Sequence, residues 1–194
     1  MARYRFRRYF RRRYRRRGNT INQKAYQKAR IDAVYPCHYP QNNGAFAFYR
    51  NGLPVNIINP NDILQDSMYY DQVRALWGYS KLTGVAVTFM PSPNVRAALG
   101  QVRDWTAVGG WMFGNQGGAN FQSILASDNS IMLNPFGPVR KYVSIKGSTW
   151  WSNAMGEAGT GTLAVQANQN SNMDSELSFI CKVSLYLTLS KSNL

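Results

Sequence analysis

The sequence predicts an all-β protein, with a two-sheet jelly roll as the favoured arrangement and a basic arm at its N terminus. Around eight short segments alternate apolar and polar residues with the period of two that a half-buried strand requires. Clusters of Gly, Pro, Asn and Ser separate these segments, and helical periodicity is confined to residues 62–76. Short strands without alternating helices indicate an antiparallel sandwich or barrel, and a fibronectin-like sandwich fits the number of strands less well than a jelly roll.

The predicted strands differ in how regularly apolar and polar residues alternate. Segment 81–91 places Val85, Val87 and Phe89 on one face and stops at Pro91. The alternation is weaker in 106–115 and 121–126. The remaining predicted strands before the last one are 45–50, which we expect to be the first strand, 139–147 and 160–168.

The last predicted strand, 177–190, has the most regular pattern of the chain. Six inward positions alternate without interruption with Ser178, Ile180, Lys182, Ser184, Tyr186 and Thr188. The inward residues are Phe179, Cys181, Val183, Leu185, Leu187 and Leu189. We therefore expect these six to belong to the core, and Lys182 and Ser184 to face away from it and to tolerate substitution.

The distribution of charge divides the chain into three parts. Residues 1–30 hold thirteen of the 23 Lys and Arg residues and no acidic residue, whereas residues 31–194 hold ten basic and nine acidic residues. The net charge of +14 therefore belongs to a tail on a nearly neutral domain. We predict a nucleic-acid-binding arm at 1–17, a polar connector at 18–43 with a short extended piece near Ala33–Tyr35, and a jelly-roll domain at 44–194.

The arm consists almost entirely of arginine and aromatic residues between positions 3 and 17. The arginines are Arg3, Arg5, Arg7, Arg8, Arg11, Arg12, Arg13, Arg15, Arg16 and Arg17, and the aromatic residues are Tyr4, Phe6, Tyr9, Phe10 and Tyr14. Ten adjacent cations repel one another, so the segment does not fold alone. Once its charge is neutralised, a helix would align Phe6, Phe10 and Tyr14 on one stripe.

This composition predicts binding to single-stranded nucleic acid without regard to base sequence. Arginine keeps its charge at neutral pH and its planar fork matches phosphate oxygens, and a polycation binds polyanions by releasing counterions. Aromatic rings stack on unpaired bases for about 1–3 kcal/mol per base, whereas duplex bases are already stacked. A basic run of this kind also serves nuclear import. A mitochondrial presequence would carry Ser and aliphatic residues instead of Tyr and Phe.

Groups able to perform catalysis are scarce, so the sequence predicts no enzyme, no cofactor and no metal site. The only histidine, His38, lies next to Cys37, and neighbouring residues of a strand point to opposite faces. We expect this pair to lie in a loop packed between two prolines. Asp62 and Asp66 could share a helical face, but the segment 59–62 is typical of an Asx-type turn or a helix N-cap, and a cation between the two carboxylates is the less favoured alternative.

Other sequence patterns predict that disulfides, a phosphate loop, a membrane partner and a secretory signal are absent. Cys37 and Cys181 are too few for a disulfide framework, so we expect free thiols. The glycines of 114–118 and 156–161 lack the strand-to-helix context of a phosphate loop. No apolar run approaches eighteen residues, and the basic start leads into polar residues, so we expect neither a membrane partner nor a secretory signal.

Several segments, taken in order, give the chain a resemblance to the capsid proteins of circoviruses and related small circular single-stranded DNA viruses. A Tyr/Arg-rich start precedes an all-β body. The segment NIINPNDIL (56–64) is similar to a loop that these proteins carry before an aromatic pair, here Tyr69-Tyr70, and residues 85–89 resemble the strand that follows. NPFGPVRKY (134–142) and the terminal strand also fit.

The resemblance implies a structural protein of the virion. Its implied fold is one jelly roll of eight strands, arranged as two facing four-stranded antiparallel sheets. Its implied assembly is an icosahedral T=1 shell of sixty copies, with the arm inside on the viral DNA and also recognised by the host import machinery, so that the protein enters the host nucleus. Small RNA satellite viruses share a basic arm and a jelly roll, which leaves RNA as an alternative. A monomeric cellular nucleic-acid-binding protein, ribosomal or chaperone-like, is the alternative from another class.

Overall fold

The computed structural model describes residues 26–38, 46–92, 106–113, 120–153, 161–168 and 178–191. These residues form eleven strands and three short helices. In chain order they are β1 (Tyr26–His38), β2 (Ala47–Arg50), β3 (Leu53–Val55), β4 (Ile57–Ile58), α1 (Pro60–Gln65), α2 (Tyr70–Leu76), β5 (Tyr79–Pro91), β6 (Ala107–Met112), α3 (Phe121–Leu125), β7 (Ser130–Met132), β8 (Val139–Ser144), β9 (Trp150–Ser152), β10 (Thr162–Ala167) and β11 (Ser178–Ser190).

The order of the strands is that of a jelly roll. One sheet runs β3-β2-β1-β11-β5-β8, with β9 paired to the start of β5, and the other runs β4-β10-β6-β7. All strand pairs are antiparallel. Eight strands form two four-stranded layers, β1-β11-β5-β8 and β4-β10-β6-β7, so the predicted fold class is confirmed. The expectation of four strands in each sheet is wrong for the first sheet, because β2, β3 and β9 extend it to seven.

The core lies between the two sheets and follows the predicted faces. All six inward residues of β11 are at most 2% exposed and belong to one continuous apolar cluster. Val85, Val87 and Phe89 of β5 join the same cluster, and β5 ends at Pro91 as predicted. The predicted strands at 45–50, 106–115, 139–147 and 160–168 are also confirmed, as β2, β6, β8 and β10.

The first strand begins much earlier than predicted. Residues 26–38 form β1, which pairs with β11 over thirteen residues, so the connector interpretation is wrong for them and β2 is the second strand. Ile31, Ala33, Tyr35 and Cys37 point into the core. Pro36 is tolerated because β2 pairs with β1 only beyond it, which leaves β1 an open edge where a missing N–H costs little.

Two of the three described helices, α1 and α3, begin at a capping box. Segment 121–126, predicted as a weak strand, is instead the helix α3, because Asn120 and Ser123 form a reciprocal capping box that satisfies the first free N–H groups. Ile124 then packs on Val108 and Met112, on the outer side of the four-stranded sheet. The helical turns predicted within 62–76 are confirmed as α1 and α2. None of the described helices is long and apolar enough to cross a membrane.

Candidate nucleic-acid and assembly interfaces

The predicted arm lies outside the described residues. This applies to all ten arginines and all five aromatic residues between positions 3 and 17. The structure does describe the start of the folded domain, at Tyr26 of β1. The Tyr26 ring lies 5.8 Å from that of Trp150, and the Lys191 ammonium group lies 5.8 Å from the centre of the Trp77 ring. Aromatic rings and a lysine therefore lie close to the start of β1.

A charged network lies on the outer face of the seven-stranded sheet, next to this junction. Arg30 contacts Asp32 through Nε (2.9 Å) and Nη2 (3.1 Å) and also donates to Ser184 Oγ (3.2 Å), while Lys182 lies 3.2 Å from Asp32. Burial alone would raise the pKa of Asp32, but hydrogen bonds from Ser184, Arg30 and Lys182 outweigh it and lower that pKa. Asp32 thus stays ionised and holds two cations in place on an open face.

Two tyrosine side chains lie on the same face of the sheet. The Tyr142 and Tyr186 rings meet edge to face with centres 5.5 Å apart, and Tyr142 is 55% exposed. Tyr142 lies directly over Gly84, where a Cβ atom would collide with the phenol oxygen and ring. Glycine at this position therefore allows a tyrosine to cover the middle of the sheet.

The predicted carboxylate pair converges on an arginine. Asp62 and Asp66 do share one face, and Arg50 binds Asp62 Oδ1 through Nη1 (2.6 Å) and both oxygens of Asp66 through Nε (2.7 Å) and Nη2 (3.1 Å). Gln65 accepts from Nη2 at 3.3 Å. Arg50 thus binds both carboxylates in the position where a cation would have to lie, so this arrangement does not support the cation alternative. Within the described residues no three His, Cys, Asp or Glu side chains gather as metal ligands.

Tyr35 connects this ion cluster to the core. Its hydroxyl donates to Asp66 Oδ2 at 2.9 Å while the rest of the side chain is buried. Burial, followed by the hydrogen bond to the Asp66 carboxylate, raises the pKa of Tyr35 far above its ordinary value. The cluster fastens α1 and β2 to β1, which is a structural role. The sequence alone does not indicate this cluster, because Arg50 and Tyr35 are distant from Asp66 along the chain.

The Cys37-His38 pair has no arrangement for nucleophilic catalysis. The two residues point to opposite faces as predicted, but they end strand β1, so the expected loop is wrong. The His38 ring stacks on Tyr49 at 3.7 Å. Cys37 is fully buried beside Cys181, and burial raises the pKa of its thiol well above its usual range, which suppresses the reactive thiolate. Both cysteines are free thiols, as expected.

Two exposed apolar side chains lie at one edge of the four-stranded sheet. Met132 and Phe136 are 59% and 69% exposed at β7 and the turn that follows it. Among the described residues β7 pairs only with β6, so its outer edge is open. An open strand edge is a surface on which another chain can pair. The glycine-rich segments 114–118 and 156–160 lie outside the described residues.

Comparison with known proteins places the fold among virus structures. No protein-family model matches the chain. No curated protein sequence matches it either. The structure of Cocksfoot mottle virus matches with a TM-score of 0.59 at 7% identity, over 87% of this chain and 96% of that one.

Two further solved structures match over similar lengths. A virus-like particle of the giant freshwater prawn Macrobrachium rosenbergii nodavirus gives a TM-score of 0.54 at 7% identity, over 89% of this chain and 98% of that one. The 60-mer of BFDV capsid protein gives 0.51 at 10% identity, over 87% and 96%. At these identities the likeness concerns the fold: the chain has the jelly roll found in these viral shells.

Proposed function

We propose that this chain is the capsid protein of a circovirus-like small circular single-stranded DNA virus. It self-assembles into an icosahedral shell and packages the genome through its arginine-rich arm. The protein has a structural role and no catalytic one. The observation that carries this proposal is the jelly-roll strand order together with a cationic, acid-free N-terminal segment directly before the first strand.

The separation of charge supports a shell-forming role. Like-charged bodies repel on association, whereas residues 31–194 carry nearly equal numbers of basic and acidic residues. The domains can therefore meet at open edges and at apolar sites such as Met132 and Phe136, while the arms remain on the inner side with the polyanion. Sixty copies bring about 600 arginines, enough to neutralise on the order of 600 phosphates.

The number of copies, the kind of nucleic acid and the nuclear import are inferred from the family resemblance. BFDV is a circovirus, and its capsid protein forms a 60-mer with the same fold, which supports sixty copies with T=1 symmetry here. In this proposal the packaged nucleic acid is single-stranded DNA. The arm also binds the host import machinery, so that the protein passes through the host nucleus before it resides in the virion.

The test is the size of the purified full chain. Negative-stain microscopy and light scattering should show uniform round particles of about 1,300 kDa, the mass of sixty copies of a 22.0 kDa chain. A stable monomer under several salt and pH conditions would contradict shell formation. It would favour the monomeric cellular nucleic-acid-binding protein, ribosomal or chaperone-like, that the sequence leaves open.

A further inference from the structure

A groove of about 800 Å³ lies where the arm joins the domain. Residues 26–31 of β1 form one wall, and the segment around α2 forms the other, with Tyr69, Leu76 and Trp77 among its lining residues. Lys191, just beyond the end of β11, completes it. The groove therefore includes Tyr26, the first residue of β1.

The wall formed by β1 is an open strand edge. β1 pairs with β11 along its full length, but β2 joins its other side only at Cys37 and His38. Over 26–36 no other described strand covers that side. In an antiparallel pair, alternate residues direct both backbone groups away from the partner strand. The groove wall therefore offers N–H and C=O groups as well as side chains.

The side chains of the groove favour an anionic ligand. Lys28, Arg30 and Lys191 line it, and none of its lining residues carries a carboxylate. Arg30 is already paired with Asp32, which lies on the same sheet face and also contacts Lys182, so the positive charge available to a ligand comes mainly from Lys28 and Lys191. A second neutral protein surface would gain little from these two lysines, whereas a phosphodiester chain would gain from each of them.

The aromatic rings of the groove favour single-stranded over duplex nucleic acid as the ligand. Tyr26 and Tyr69 remain 45% and 44% exposed, although both line the groove. Trp77 is half-buried under Lys191. Rings interleaved with cations in a groove are the arrangement that stacks unpaired bases while neutralising their phosphates. Duplex bases are already stacked and would gain nothing from these rings.

We propose that this groove is a second binding site for single-stranded nucleic acid. It is formed by the folded domain and adjoins the arm along the chain. Tyr26 and Tyr69 stack on bases, and Lys28 and Lys191 contact phosphates, without preference for base sequence. Arg17 precedes Tyr26 by nine residues, about 30 Å when extended, so one strand can contact both sites. The inference rests on the proposed packaging function and extends it to the domain.

The first experiment maps contacts on the full chain. Oligo(dT) that carries 5-iododeoxyuridine is bound, irradiated and digested, and the crosslinked peptides are identified by mass spectrometry. We expect crosslinks at Tyr26 and Tyr69 in addition to the arm. Crosslinks confined to residues 1–17 would overturn the groove site but leave arm-mediated packaging intact. A chain that binds no oligonucleotide at all would overturn both proposals.

The second experiment measures the groove's share of binding by fluorescence anisotropy over a range of salt concentrations. Lys28→Ala with Lys191→Ala should lower the log–log salt slope by about 1.4, since each single-strand phosphate contact contributes about 0.7. Arg140→Ala with Lys146→Ala removes the same charge from exposed positions at the β8 side and should leave the slope near that of wild type.

The rings are tested separately in the same assay. Tyr26→Ala with Tyr69→Ala should weaken binding to oligo(dT) by roughly fivefold or more per ring and keep the salt slope. Tyr142→Ala, an exposed tyrosine on the outer sheet face, is the matched control. Groove variants that bind like wild type would overturn the site. If they also failed to form particles, a second copy of the chain would be the occupant of the groove.

Discussion

At the scale of single residues, Tyr35 gives the fold a defined response to alkaline pH. Its pKa in the folded protein lies above the ordinary value of about 10 because of burial and the Asp66 carboxylate. Below pH 10 both folded and unfolded chains keep this proton, so its contribution to stability is constant there. Above pH 10 only the unfolded chain loses it, and stability falls by up to about 1.4 kcal/mol per pH unit.

The Tyr35→Phe variant isolates this contribution. We expect it to be about 1 kcal/mol less stable at neutral pH, because Asp66 loses one hydrogen bond but keeps Arg50. Between pH 10 and 11 its free energy of unfolding should decline less steeply than that of wild type. Urea unfolding at pH 8, 10 and 11 measures both effects, with Tyr142→Phe as an exposed control. Parallel declines in wild type and Tyr35→Phe would contradict the assigned pKa.

At the scale of elements, the long strand β11 contributes six residues to the core. Leu185 is completely buried, and it pairs with Ile31 of β1 on one side and Val85 of β5 on the other. Leu185→Asp places a charge without a partner among apolar side chains, so we expect no soluble folded protein. Leu185→Ala should cost about 2–5 kcal/mol.

The outer face of β11 supplies the control for this prediction. Lys182 is 41% exposed and forms only a surface ion pair with Asp32, so Lys182→Ala should change stability by about 1 kcal/mol or less. Soluble yield and circular dichroism distinguish the variants. Folded Leu185→Asp protein, or Lys182→Ala as damaging as Leu185→Ala, would contradict the register of this strand.

Elements were predictable where one face is uniformly apolar over many residues. This holds for β11 and for the second half of β5. In β1 the inward series is just as regular, but Arg30, Asp32 and Pro36 between its members give the segment the composition of a connector. Strands of two or three residues, such as β4 and β7, are too short to show a period at all.

Other features depend on contacts that no local pattern contains. α3 has five residues, and its only sequence signal is the capping pair Asn120 and Ser123. The cluster around Arg50 joins residues 12 and 16 positions apart in the chain, and the bond from Tyr35 to Asp66 spans 31. The groove likewise combines β1, α2 and the end of β11. Such sites exist only once the topology is fixed.

At the scale of the whole molecule, charge and fold are kept in separate parts of the chain. The domain buries its apolar surface between two sheets, and Arg30, Arg50 and Lys182 form ion pairs with aspartates. The arm holds the excess positive charge. Each part can therefore be changed while the other is left intact, and the function of the arm can be tested in a protein that still folds.

Deletion of residues 1–17 should leave the jelly roll folded and remove most packaged nucleic acid and nuclear import, because β1 begins only at Tyr26. Replacement of Tyr4, Phe6, Tyr9, Phe10 and Tyr14 by Leu keeps every arginine, so the salt dependence of binding should be preserved. The preference for single strands over duplex should fall, since stacking is lost. Nucleic-acid content of particles, import of a fluorescent fusion and binding titrations measure these outcomes. Normal packaging by the deletion variant would exclude the arm as the packaging element, whereas an unchanged strand preference in the leucine variant would exclude stacking alone.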